Sequence, residues 1–568
     1  SNSNGNYTFQ NSPIADINPA TNLPYTAIEN FARGKAISSQ YSYSNTSDPR
    51  QGADFAAAQF GFYLQDEYQI EPNLKITAGA RVDIPVYFDK PMANDDFNNS
   101  ILAKQYTVQT NSMPKPALMF SPRVGFNWDV KSDRSTIVRG GVGVFTSRFP
   151  FVWASGAFTQ SGAMLGGNNL SSGKDAIPVV DFIPDANAQP KFEGQVTPSG
   201  NITVLDKNLK LPQIARVSLG VDQELPFGIK STFEFMYAKN LSAFRFTDIN
   251  LEKPMGQLEG ADNRLMYSTV NNDRRILDNY SEVIYIDNVN KGYSWSATAS
   301  FQKSFDFGLT ATAAYTYTES KDLFSGTSSQ NNSNFYRVAS VNGSNSAQVG
   351  YSPFSTGSRI ISTLSYTKKY VGHLGTTISL VYDGQAGARY SYLVNGILGG
   401  HAQSSSNAMA LMYIPRNESE IRFVQNGKLS PEDQWKALDA FIESDKYLSK
   451  NRGKYAERNA ARTPWSHKFD VRILQDIFTN VGKTKNKIQV SFDVMNVGNL
   501  ISSNWGKSYN GSGSFWDNSF KAISYDSLVK GTNIPQYKLN DLNNNTPYFY
   551  QDLSSRWSAQ VGVRYIFN

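Results

Sequence analysis

The sequence predicts an all-β protein, a transmembrane antiparallel β-barrel. Three observations predict it: segments that alternate apolar and polar residues with a period of two, connections that are alternately short and long, and a composition rich in aromatics yet polar on average. Aromatic residues make up 13% of the 568, with 31 Tyr and 35 Phe, while charged residues are 18%, a balance that suits a surface in contact with lipid. The mean hydropathy is nevertheless −0.42, and no stretch approaches the roughly 20 consecutive apolar residues of a membrane helix, which excludes a helical membrane protein. A barrel reconciles the two, because only every second strand residue faces lipid.

Taken in order, thirteen segments read as strands: 60–70, 74–84, 122–130, 136–145, 213–225, 230–240, 293–305, 308–320, 359–370, 375–386, 466–477, 487–498 and 556–567. In the second, Leu74, Ile76, Ala78, Ala80 and Val82 alternate with Lys75, Thr77, Gly79 and Arg81; in the third, Val124, Phe126 and Trp128 alternate with Arg123, Asn127 and Asp129. Trp295, Ala297, Ala299 and Phe301 interleave with Ser296, Thr298, Ser300 and Gln302. Phe469, Val471 and Ile473 oppose Lys468, Asp470 and Arg472, and Ile488, Val490, Phe492 and Val494 oppose Gln489, Ser491 and Asp493. The last segment sets Trp557, Ala559, Val561, Val563, Tyr565 and Phe567 against Arg556, Ser558, Gln560, Gly562 and Arg564. Most segments match the roughly 9 to 11 residues that cross a bilayer when tilted.

Short links such as Glu71-Pro72-Asn73, Lys131 to Ser135, Pro226-Phe227-Gly228 and Val371 to Leu374 alternate with far longer ones. Barrels segregate loop length by side in this way, with short periplasmic turns and long extracellular loops. A soluble sandwich has no physical reason to do so. The last strand then runs down to a periplasmic C-terminus, and the first also runs down from outside. Residues 1–59 form an extracellular segment before the first strand, and 60–568 form the barrel portion, with a helical loop insertion at about 430–460. Single-chain bacterial barrels have even strand numbers, so the expectation is that an odd number of strands lies upstream. If the barrel has the about 22 strands of plugged transporters, these are its last thirteen. The chain opens without a basic region and apolar run, as expected if it begins after a signal peptide or inside a longer protein.

Ser430-Pro431-Glu432-Asp433 followed by Trp435, Leu438, Phe441 and Ile442 predicts a capped amphipathic helix: Ser caps, Pro fits the first turn and the acids suit the positive dipole end. It reads as a knob packed on neighbouring loops, with a ligand or partner surface as the sharper alternative. Gly400 to Asn407 and Ser325 to Ser333, rich in small polar residues, are expected to be mobile.

Chemistry has little support. Cysteine is absent, so disulfides and thiolate metal sites are excluded. The three histidines, His373, His401 and His467, lack ligand spacing, and no Ser sits in a nucleophile elbow, so no enzyme and no cofactor is expected. Gly140-Gly141-Val142-Gly143 lies inside a strand and reads as a place of close backbone approach or tight barrel curvature rather than a phosphate loop. Asp541, Asn543, Asn545 and Asp552 occupy positions 1, 3, 5 and 12 of a calcium-type loop, but Thr546 replaces its glycine and Pro547 follows, leaving an ordinary Asn-rich loop as the expectation. Arg81, Arg123, Arg139, Asp470, Arg472 and Arg564 are placed in the lumen, as ion pairs or on a substrate path. The aromatic segments Phe149 to Trp153 and Tyr548 to Tyr550 either bind ligand or pack the loops. The net charge of +6 is spread without a basic stripe, so no nucleic-acid partner is expected.

The phrases "FGFYLQDEYQIEPNLKITAGARVDIPVY", "SPRVGFNWDV", "IVRGGVGVFTSRFPFVW", "SDKYLSKNRGKYAERNAARTPWSHKFDVRILQDI" and "WSAQVGVRYIFN" together resemble the TonB-dependent outer-membrane transporters, and within them the Oar-like group, from about Tyr7 to the C-terminus. The resemblance implies a 22-stranded barrel closed by an N-terminal plug and a TonB box that contacts the inner-membrane energy complex. It also implies insertion by the barrel assembly machinery, with the penultimate Phe567 as the insertion signal where many relatives end on an aromatic. A surface lipoprotein or another outer-membrane protein is a further possible partner beside the lipid bilayer. The functional expectation is TonB-dependent uptake of an unidentified substrate. The alternatives are a passive porin-like channel and a structural, adhesive or docking barrel.

Overall fold

The computed structural model describes residues 3–48, 51–172, 176–185, 188–189, 200–270, 273–400, 409–481, 484–513, 518–542 and 546–567. All thirteen predicted strands are present: β1 (Ala57–Glu71), β2 (Leu74–Tyr87), β3 (Met119–Asp129), β4 (Thr136–Thr146), β5 (Gln213–Leu225), β6 (Ile229–Asp248), β7 (Tyr293–Ser304), β8 (Leu309–Asp322), β9 (Gly357–Tyr370), β10 (Leu374–Gln385), β11 (Ser466–Val481), β12 (Thr484–Met495) and β13 (Ser558–Phe567). Each pairs antiparallel with its sequence neighbours, and three short strands branch off this path to complete a 16-stranded sheet. Among the described residues, β1 pairs only with β2 and β13 only with β12. No helix among the described residues is long and apolar enough to cross a membrane.

The register carries the sequence alternation across the sheet. Directly paired residues share a face, so Phe233↔Ala299↔Tyr315 and Leu364↔Leu380↔Val471 lie on one face, and Thr298↔Thr316↔Arg359 on the other. The apolar face is open: Phe233, Tyr315, Leu364, Ile378 and Phe492 are each between 42% and 48% exposed. A continuous apolar surface of this kind needs lipid, not water, against it. Aromatics mark its two borders, Phe227, Phe305 and Phe307 by the short turns and Trp295 against Tyr317, 5.0 Å between centroids, by the long loops.

The glycines of β4 allow close approach. A Cβ on Gly140 would stand 2.8 Å from the Ser218 carbonyl, and one on Gly141 the same distance from that of Val124. Of the strand ends that differ from the sequence reading, two have a clear physical cause. β6 does not stop at 240: Phe244 and Phe246 turn into a buried cluster, and Ala243–Asp248 pairs with Ile284–Val289 off the main strand path. β12 stops at Met495 rather than 498, because Asn496 takes a left-handed backbone (φ 54°) and its N–H donates to Asp470 at 2.6 Å.

The apolar cores lie mainly in the long connections. Phe149 and Trp153 pack with Phe244, Phe246, Ile284 and Phe335. Phe97, Leu102, Ile202 and Val283 form a second cluster beside them. The largest joins Tyr390, Tyr392, Leu438, Ile442, Phe520 and Tyr537. The helix Pro431–Ser444 belongs to this last cluster. Ser430 caps it by accepting from Asp433 N–H, and the buried Gln434 donates to Val424 O at 2.7 Å and accepts from Leu539 N–H at 2.9 Å.

Candidate functional site

On the face opposite the apolar one, the predicted lumen charges are mostly partnered. Arg81 pairs with Asp83 at 2.8 Å, Arg139 with Asp222 at 3.0 Å and with Glu234, and Arg472 with Asp493. Arg123 donates to Gln65 Oε1 at 2.6 Å, Asp470 accepts from Asn496, and Arg564 stands opposite Gln489. The Arg139 and Arg472 pairs tie strand to strand, whereas Arg81–Asp83 lies within β2.

The more distinctive chemistry is above the sheet, where the connections after β8, β10 and β12 meet. A cavity of about 670 Å³ lies there, lined by Arg337, Arg458, Asn510 and Asn518 with the aromatic rings of Phe354 and Phe549, which are 65% and 51% exposed. That volume is in the range of sites for drug-sized ligands. Two residues of the run Asn451–Trp465, Arg458 and Asn459, line it, and the run is pinned by Asn459. This residue adopts φ 54°, a conformation asparagine tolerates better than most, and its backbone N–H donates to Ser391 Oγ at 2.9 Å while Nδ2 donates to Tyr351 O at 2.9 Å.

That geometry positions three guanidinium groups. Arg458, 6% exposed, donates through Nη1 to Leu323 O and through Nη2 to Asp322 Oδ1, both at 2.7 Å. Arg389, equally buried, donates to Ser355 O and Asn459 O at 3.0 Å and stacks 3.7 Å over the Tyr351 ring. Arg462 donates to Thr356 O, Gly387 O and Ser355 O at 2.9 to 3.0 Å. Lys321 sits 4.2 Å from the same Tyr351 ring. Burial lowers the affinity of all three guanidiniums for their protons, and with Arg389 beside it Arg462 falls to about 10. A value of about 10 still leaves it charged near neutrality. Backbone carbonyls and an aromatic face satisfy Arg389 and Arg462, while Arg458, which alone of the three lines the cavity, is ion-paired with Asp322.

Of the other predicted positions, Asn543, Asn545 and His401 lie outside the described residues. Asp552 begins a short helix and pairs with Arg556, and Phe567 is exposed near the end of β13, 5.8 Å from the Tyr565 ring. His373 is in the turn after β9, and His467 shares a 2.8 Å hydrogen bond with Tyr382. Among the described residues no group of three His, Cys, Asp or Glu is placed to hold a metal. The aromatic segments divide: Phe149 and Trp153 are buried in a loop core, while Phe549 lines the cavity. Ser325 to Ser333, expected to be mobile, is packed instead. Ser325 bonds Asp322, Trp153 Nε1 donates to Ser328 O at 2.8 Å, and Asn331 donates back to Trp153 O at 3.0 Å. Gly400 is buried, and the rest of the other segment expected to be mobile lies outside the described residues.

Sequence reasoning passed over Arg337, Arg389, Arg458 and Arg462. The signal that could have found Arg458 and Arg462 is the density of arginine in Asn451–Trp465, a run with no acid after Glu457 to pair them locally.

Compared with known proteins, the chain matches the family model described as outer membrane beta barrel domain over residues 1–515. No protein of curated function matches it. Among solved structures, it is similar to the outer membrane transporter YddB from Escherichia coli at 11% identity and a TM-score of 0.42, covering 94% of this chain and 50% of that one. It is also similar to the ferric enterobactin receptor PfeA from Pseudomonas aeruginosa (9% identity, TM-score 0.36, 81% and 44% covered). The FrpB iron transporter from Neisseria meningitidis is a third such structure (10% identity, TM-score 0.36, 78% and 42% covered). The chain thus spans half or less of the length of these structures.

Proposed function

Because the chain belongs to the outer membrane beta barrel domain family, we propose that it is part of a TonB-dependent transporter that takes up a solute captured by its long loops. The observation that supports this most is the cavity lined by Arg337, Arg458, Phe354 and Phe549 above one end of the sheet, on loops that carry their own apolar cores. A passive pore needs no such folded cap. In this reading the short turns face the periplasm and the long loops face outside. In the same reading the thirteen strands form one stretch of a larger plugged barrel. TonB acts on the plug, and Phe567 serves the barrel assembly machinery as insertion signal.

The test is solute depletion from the medium, followed by mass spectrometry. A solute removed by cells that carry the full natural protein, and not by cells lacking either the protein or TonB, supports the proposal. Depletion that persists without TonB would make the protein a passive channel. No protein-dependent depletion at all would favour an adhesive or docking role.

A further inference from the structure

The chain leaving β12 folds back over the outside of the sheet. Asn496, buried at the turn, donates through its N–H to Asp470 and through Nδ2 to Gly506 O at 3.0 Å and Ser555 O at 2.7 Å. One amide thus ties both ends of the loop 496–506 to each other and to the segment before β13. Inside the loop, the short helix Val497–Ile501 leads into a turn in which Trp505 N–H donates to Ser502 O at 2.9 Å and Asn499 Nδ2 donates to Trp505 O at 3.1 Å. A Cβ on Gly498 would stand 4.0 Å from the Phe469 ring and 3.6 Å from Trp505 Cβ. Phe469 pairs with Tyr382 and shares the face of Val471 and Leu380, the apolar face that meets lipid. The loop therefore rests on the lipid side of β11, at its long-connection end.

Firmly held as it is, this loop leaves Leu500, Ile501 and Trp505 50%, 71% and 58% exposed. A loop ordered in water turns its large apolar side chains inward. Beside it the rings continue along the same face: Trp465 stacks 5.8 Å from His467, and His467 stacks 6.1 Å from Tyr382. The exposed residues are thus continuous with the lipid-facing surface, while Ser503 and Asn504 of the same loop supply exposed polar groups.

We infer that the loop 496–506 is a membrane anchor, whose Leu500, Ile501 and Trp505 insert among the lipids of the leaflet on the long-connection side. Its partner is the lipid surface, met as an in-plane amphipathic element meets it, with Trp505 at the level where tryptophan concentrates. The same connection runs on to Asn510 and Gly511 in the cavity wall, so the anchor also fixes that wall relative to the membrane. The inference needs the lipid-facing sheet alone and holds whatever the protein transports and whichever way it faces.

The experiment is electron paramagnetic resonance of the full natural protein in phosphatidylcholine vesicles. This chain has no cysteine, and any elsewhere in the protein is changed to serine. Ile501→Cys carries a nitroxide, whose collisions with oxygen, enriched in hydrocarbon, are compared with its collisions with a water-soluble nickel chelate. Leu364→Cys supplies the value in lipid, and Lys428→Cys, exposed in the connection after β10, the value in water. The ratio of oxygen to nickel collisions at 501 should exceed that at 428 by about fivefold or more. A ratio at 501 equal to that at 428 puts the loop in water and overturns the inference. Suppression of both kinds of collision at 501 overturns it too, because protein then covers the loop. A water-like ratio at 364 as well would overturn it together with the assignment of the sheet to lipid.

Discussion

Placing arginine on one face of β9 and then on the other measures the assignment of the sheet to lipid directly. Leu364 lies between Ala311 and Leu380 on the apolar face and is 46% exposed. It stands seven residues from the Gly357 end of β9 and six from the Tyr370 end. At about 3.3 Å per residue that is roughly 20 to 23 Å of strand, or about 15 Å of depth at a tilt of about 45°. An apolar band of about 25 Å therefore has Leu364 near its midplane. Leu364→Arg should cost about 2 to 4 kcal/mol there, roughly a 30- to 800-fold shift in the folding equilibrium at about 1.4 kcal/mol per tenfold. Thr363→Arg puts the same group one residue away, beside Thr312 and Val381 on the opposite face, and should change stability by about 0.5 kcal/mol or less. The assay is reversible urea unfolding of the full protein in lipid vesicles, followed by tryptophan fluorescence and by heat-modifiable gel migration. Equal penalties at the two positions, or a larger one at Thr363, would refute the face assignment and with it the membrane-spanning register.

Three further outcomes concern the loops. Trp153→Ala removes a ring packed edge-on against Phe244 and Phe246 and an N–H bonded to Ser328 O. A loss of about 3 to 5 kcal/mol should make residues 147–172 and 323–356 sensitive to protease while gel migration of the barrel is unchanged. Arg264→Met strands Asp262, which the buried Arg264 meets at 2.8 Å and two tyrosine hydroxyls, Tyr455 and Tyr537, also reach at 3.0 Å. The single change should cost about 3 to 5 kcal/mol, more than the double change with Asp262→Leu, as read by urea midpoints of the loop fluorescence. Glu282 is buried beside Asp248, and desolvation, reinforced by that like charge, pushes it up to about 8 against the pull of Arg275 and Arg274. A carboxyl raised in the folded state contributes its stability below its unfolded pKa of about 4.3 and loses it as pH rises towards about 8. Hydrogen exchange in 276–290 should therefore quicken between pH 5.5 and 8.5, and Glu282→Gln should flatten that dependence.

The strands were legible because two independent constraints act on every one of them. A period of two fixes which side chain faces lipid, and bilayer thickness fixes how long the pattern runs, so Ile488 to Val494 or Trp295 to Phe301 can be read in isolation. The loop cores have neither constraint. Phe244, Ile284 and Phe335 meet from segments far apart in sequence, and a short apolar run such as Ile284 to Ile286 carries no sign of its partners. β6 was read too short for this reason: its apolar positions change parity across an irregularity between Asn240 and Ser242, and beyond it Phe244 and Phe246 meet Trp153. Ser325 to Ser333 misled in the opposite direction, since its small polar side chains bond to buried partners such as Trp153 that composition does not reveal. The site arginines were hidden for a related reason. Their acceptors are the carbonyls of Ser355, Thr356, Gly387 and Leu323, and any residue type supplies a carbonyl.

The two parts of the molecule answer to different solvents, and that division bears on how a ligand could be held. In hydrocarbon the sheet needs satisfied backbone groups more than a packed interior, so its strands can keep polar, partnered side chains on one face and bare apolar ones on the other. The long connections stand in water and must bury apolar area of their own to become ordered. They do so in clusters that each join several connections: Asp262 and Arg264, from the connection after β6, bond Tyr455 and Leu411 from the one after β10 and Tyr537 from the one after β12. A cavity walled by such connections keeps its shape through their mutual packing and not through the sheet beneath. Arg389 and Arg462 beside it are accordingly held on loop carbonyls, where Arg139 on the sheet meets the carboxylate of Asp222 on the next strand.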